Sequence, residues 1–140
     1  MKALADRRAR VARVRRVQHL QAAGAAALAE GRLVQLEGNA ARLAAVRATL
    51  ATETGATSGA ALGNAGELAM RLDEVRHGLN GAIEGAREVV ALRTAERLGA
   101  HIQRESAERL QNRAVAEMQQ MIEERMAAAF RPRRAPGRPE

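Results

Sequence analysis

The sequence predicts an all-α fold: a long antiparallel two-helix coiled-coil hairpin with a Gly-rich turn and a disordered basic C-terminal tail. Three observations carry this expectation. Alanine, the best helix former, supplies 33 of 140 residues, while Phe130 is the single aromatic side chain. A core without aromatic bulk must be built from Ala, Leu, Val, Ile and Met, and so few β-branched and aromatic residues disfavour sheet. The three prolines all fall after Phe130, which leaves two long Pro-free stretches. Between those stretches, residues 54–66 read TGATSGAALGNAG, a Gly/Ser/Thr/Asn cluster that breaks a helix.

Residues 1–53 form the first arm. It opens with Lys2, Arg7, Arg8, Arg10, Arg13, Arg15 and Arg16 against Asp6 alone. The following LQAAGAAALAEG is too weak an apolar core for a signal peptide, so the opening reads as the first turns of a basic helix. Leu36, Leu43, Val46 and Leu50 make the clearest apolar run, and Leu4, Val11, Val14 and Leu20 a looser one. No stretch of about 18 apolar residues is present to span a membrane.

Residues 67–130 form the second arm. Leu68, Leu72, Val75, Leu79, Ala82, Ala86 and Val89 alternate in steps of four and three, which is the seam of a coiled coil. The seam shifts phase through Ala91, Ala95, Leu98 and Ile102 and resumes at Val115, Met118 and Ile122. Glu67/Arg71, Arg104/Glu108 and Glu105/Arg109 mark wet faces, each pair adding a few tenths of a kcal/mol. Gly78, Gly81 and Gly85 cost up to ~1 kcal/mol each inside a helix. They mark a kink, a close approach of the arms, a partner-facing patch or simple tolerance. Residues 131–140, RPRRAPGRPE, have the composition of a disordered tail.

One narrow apolar stripe per helix requires a partner, and the nearest is the other arm. With the turn near Gly59, facing positions sum to about 118, so Leu50 meets Leu68, Val46 meets Leu72 and Leu43 meets Val75. At 1.5 Å per residue the arms run ~75 Å and ~95 Å. In this register the first residues reach about Ala114, and residues 115–130 overhang with Met118, Met121, Ile122, Met126 and Phe130. Methionine suits surfaces that adapt to partners.

Catalytic chemistry is not expected. The absence of cysteine excludes a disulfide scaffold, a thiolate zinc site and a Cys nucleophile. His19, His77 and His101 form no metal-ligand spacing, and no phosphate loop or nucleophile elbow is present. Glu84 and Glu88 share a helical face without the Glu-x-x-His partners of a di-iron bundle, and read as a solvated face. The reading is a non-enzyme with no cofactor, no metal and no catalytic residue. Charge is the strongest signal: the net charge is +7 and the tail adds Arg131, Arg133, Arg134 and Arg138 to the N-terminal cluster. A hairpin places both clusters at one end, which suits an acidic protein, an anionic lipid or a nucleic acid.

With two long helices, a central loop, a basic N-terminus and the closing helix RLQNRAVAEMQQMIEERMAAAFR, the chain resembles the FliJ family, the coiled-coil stalk proteins of the flagellar type III export apparatus. The resemblance implies a non-enzymatic stalk or adaptor, cytoplasmic and peripherally associated with the inner-membrane export apparatus through protein contacts. Its implied partners are the export ATPase ring, the export gate and export chaperones, with the hairpin a monomer or a dimer. Paired termini would enter the ATPase, giving Arg7, Arg8, Arg13, Met118, Met121, Ile122 and Met126 as candidate contacts. The loop-side half would face the gate, giving Leu43, Val46, Leu50, Leu68, Leu72 and Val75. The chain departs from the family in lacking aromatic residues there.

The alternative is a basic coiled coil that binds nucleic acid non-specifically. No helix-turn-helix, zinc finger or stacking aromatic supports specific recognition, so binding would rest on phosphate neutralisation. A granule-coating role suits Ala-rich helices but not a narrow seam.

Overall fold

The computed structural model describes residues 1–52 and 58–130. Two helices account for them: α1, Lys2–Thr52, and α2, Gly59–Ala129. No strand occurs among the described residues. The helices pack against each other within two compact units, a terminal unit of Met1–His19 with Ala100–Glu140 and a central unit of Leu20–Gly99.

In the terminal unit the helices run antiparallel. Arg15 reaches Gln103, His19 meets His101, and Arg16 bridges Glu108. The seam is made of small residues. Ala5, Ala12, Ala107 and Ala114 are its buried members, and Ala12 is wholly inaccessible. Ala5, Ala12 and His19 recur every seven residues, as do Ala100, Ala107, Ala114 and Met121. A period of seven returns to one face of a supercoiled helix, and alanine at that face permits the short end of the usual 8–10 Å interaxial range. The larger apolar residues sit on the flanks. The expected run Leu4, Val11, Val14 and Leu20 is corrected: all four are exposed, Leu20 lying in the central unit. Arginine stems at Arg8 and Arg15, both half-buried, accompany the alanines because aliphatic stems pack while the guanidinium stays in water.

The central unit is also antiparallel, with Arg47 bridging Asp73 and Arg87 bridging Glu37. Its seam carries more bulk. Ala26, Leu36 and Ile83 are buried, and Leu33, Leu43, Leu50, Leu72, Leu79, Ala86 and Val90 are half-buried. The expected α2 seam is corrected in four of its seven members. Leu72, Leu79 and Ala86 lie in it, whereas Leu68, Val75, Ala82 and Val89 are exposed and their places are taken by Ala69, Ile83 and Val90. The buried face is shifted toward Ile83, whose larger side chain is buried in place of Ala82, and Val90 follows it seven residues later on the same face. The phase shift through Ala91, Ala95, Leu98 and Ile102 is not seen: Ala91, Ala95 and Leu98 are exposed within this unit, and Ile102 within the terminal one.

The expected turn at 54–66 is shortened. Residues 59–66 belong to α2, which Ser58 caps by accepting a hydrogen bond from the Ala61 N–H at 3.2 Å. A serine at this position satisfies a donor the first turn leaves open, and Ala60, Ala61, Leu62 and Ala65 supply helix propensity that outweighs Gly59, Gly63 and Gly66. Residue 53 of the expected first arm, turn residues 54–57 and the expected tail, 131–140, lie outside the described residues. A methyl added at Gly78, Gly81 or Gly85 would meet nothing within 4 Å, so close approach of the arms does not explain these glycines.

Candidate functional site: a basic unit with an unpartnered apolar flank

The terminal unit holds the charge of the protein. Among the described residues its segments carry 11 Lys and Arg against 6 Asp and Glu, whereas the central unit carries 8 against 8. The positive charge of the described residues is therefore concentrated in one unit, and the other is close to neutral. The positive potential follows from α1's opening turns, where Arg7, Arg10 and Arg13 are exposed with only Asp6 to offset them.

The candidate contacts of the terminal unit separate into two groups. Met118 and Met121 are half-buried and, with Ile122, line one cavity of about 300 Å³ together with Met1, Lys2 and Arg125. The expected overhang from residue 115 is thus corrected: α1 is helical from Lys2, and its first residues reach Met118, Met121, Ile122 and Arg125. From residue 123 onward the described side chains are exposed, Met126 and Phe130 among them. Arg7 and Arg13 face solvent, and Arg8 lines a groove with Val11, Arg15, Ile102, Gln103, Ser106, Ala107 and Leu110.

Among the described residues, one ion pair joins the two helices of the terminal unit. Glu108 accepts from Arg16 Nε at 3.0 Å, which holds its carboxyl below the usual carboxylate range, with help from the nearby Arg104 and His101. The expected Arg104/Glu108 pair is replaced by this inter-helix contact. Glu67/Arg71 and Glu105/Arg109 form as expected, at 2.7 Å and 3.6 Å. These bridges are solvent-screened, so each contributes little to stability.

The histidines, remote in sequence, are partly reunited. His19 and His101 meet edge to face with centroids 5.4 Å apart, and His101 Nε2 lies 3.5 Å from Glu105. Among the described residues, no three His, Cys, Asp or Glu side chains are placed to hold a metal ion.

In the central unit the six candidate gate residues divide evenly. Leu43, Leu50 and Leu72 are half-buried in the seam and hold the helices together. Val46, Leu68 and Val75 are exposed and available to a partner. Sequence reasoning missed the groove beside Arg15, because Val11 lies on α1 and Ile102 and Leu110 on α2; only the antiparallel pairing brings the two faces together.

Among the described residues, no helix is long and apolar enough to cross a membrane. Comparison of the chain with protein-family models, curated proteins and solved structures gives no match.

Proposed function

We propose that the protein is a non-enzymatic stalk or adaptor of a flagellar type III export apparatus. The terminal unit would dock on the export ATPase ring, and the central unit's exposed face on the export gate or export chaperones. The observation that carries this reading is the concentration of the net charge in the terminal unit beside a cluster of accessible methionines. A positive, apolar-tipped helix pair suits a pore or cleft lined with acidic groups, and methionine adapts to its contours. The FliJ resemblance supplies the identity of the machine, with a cytoplasmic location peripheral to the inner membrane. The test is a pull-down with the cognate secretion ATPase together with motility of a deletion strain. The reading predicts capture and lost motility; no capture with normal motility would overturn it.

The same charge concentration favours a second reading, non-specific nucleic-acid binding. Duplex DNA titrated at rising salt discriminates. Binding that weakens steeply with salt, with no ATPase capture, would favour the second reading.

A further inference from the structure

We propose that the groove formed by Leu4, Val11, Ile102 and Leu110, and bordered by Arg8 and Arg15, is the docking site for an acidic amphipathic helix of a partner protein. The proposal deepens the docking role above and rests on the terminal unit being an end that binds.

Leu4 and Val11 are seven residues apart on one face of α1, and α2 brings Leu110 beside both. Ile102, Ser106 and Leu110 are four apart, so they share one face of α2. The four apolar side chains remain 39%, 43%, 54% and 44% exposed in the order named. Two cavities that share Arg8 and Leu110 lie among them, one of about 250 Å³ beside Val11 and Ile102 and one of about 210 Å³ beside Leu4, Arg113 and Glu117. The alanine seam explains the groove: small residues at the helix contact leave the larger ones stranded on its shoulder.

The electrostatic part selects the occupant. Arg8 is half-buried against the groove and forms no ion pair among the described residues, and the one carboxylate lining the groove beside it, Glu117, is held by Arg113 at 3.0 Å. Arg15 is also half-buried, and its Nη1 donates only to neutral amides, Gln18 at 2.9 Å and Gln103 at 2.6 Å. Elsewhere in the unit the inter-helix arginine, Arg16, has its carboxylate. Two uncompensated guanidinium groups seven residues apart match two carboxylates spaced seven apart on an incoming helix. Apolar side chains between those carboxylates would fill the groove, the usual helix-in-groove mode of recognition. A second copy fits poorly, because it would set this strongly positive unit against its like.

The experiment uses the full chain and a fluorescein-labelled helical peptide with leucines at i, i+3 and i+7 and glutamates seven residues apart. Anisotropy measures affinity at near-physiological salt, and methyl NMR maps the contact. The groove predicts shifts at Leu4, Val11, Ile102 and Leu110. It predicts binding weakened about ten-fold or more when the peptide glutamates become Gln, because two charge-assisted contacts are lost. Arg8→Gln with Arg15→Gln should give the same loss with helicity retained, and Leu110→Asp should abolish binding. Equal binding of the Glu and Gln peptides, or shifts confined to other residues, would overturn the groove. So would a self-association that buries it at the concentrations used. Peptide failure with ATPase capture intact would remove the groove alone; peptide binding without ATPase capture would remove the export role alone.

Discussion

Glu108 of α2 accepts a hydrogen bond from Arg16 of α1 at 3.0 Å, one of the few contacts tying the two helices of the terminal unit together through charge. The bond depresses the Glu108 carboxyl below the usual carboxylate range. A group depressed in the folded state adds stability above its unfolded value and loses it as pH falls through the folded one. Glu108→Gln should therefore melt lower than the parent near neutrality. The gap should close as pH is taken from about 7 to about 3. Thermal unfolding followed by circular dichroism checks this, and a gap independent of pH would show that the ion pair carries none of it.

The alanine seam predicts an inversion of the usual core rule. Ala12 is wholly buried in the terminal unit, so Ala12→Leu should destabilise by about 1–3 kcal/mol through overpacking. In the central unit Ile83 is among the most buried large side chains, and Ile83→Ala should cost about 2 kcal/mol or more. Denaturant titration of both variants separates them from a leucine-seamed coiled coil, in which Ala12→Leu would stabilise.

Glycines inside α2 give a prediction of opposite sign. Nothing lies within 4 Å of a methyl at Gly78, Gly81 or Gly85. Each Gly→Ala replacement should raise stability by up to ~1 kcal/mol from helix propensity. If the melting point rises but export falls in the triple variant, softness in this stretch serves docking; if both rise or hold, the glycines are merely tolerated.

The candidate gate residues should split by phenotype. Val46, Leu68 and Val75 are exposed, so changing each to Ser should alter stability by no more than about 0.5 kcal/mol while weakening capture of the gate component. Leu43→Ala, Leu50→Ala and Leu72→Ala should instead lower the melting temperature, because these half-buried side chains join the helices.

Helix content and antiparallel pairing were legible in the sequence because they rest on composition and on the absence of proline, which act over whole arms. Bridged pairs in each unit have residue numbers totalling 118–124, close to the expected register. The seam face was less legible. Reading large apolar residues picked out Leu4, Val11, Leu68 and Val75, which flank the contact, because the true seam uses Ala5, Ala12, Ala65 and Ala69. Alanine is so abundant that its seven-residue recurrence carries little contrast. The α2 start at Gly59 was hidden by glycines whose cost the Ser58 cap and neighbouring alanines outweigh. The groove was invisible because it needs residues from both helices.

The docking role depends most on α1 and α2 lying side by side and antiparallel in the terminal unit of a single chain. Spin labels placed by Arg13→Cys and Arg109→Cys, both at exposed positions, test this in a chain that has no other cysteine. Adjacent helices with axes 8–10 Å apart, plus the label arms, predict a sharp distance of roughly 15–30 Å. That distance should survive dilution with unlabelled protein. A coupling that fades on dilution, or no coupling within that range, would contradict the pairing and every docking inference built on it.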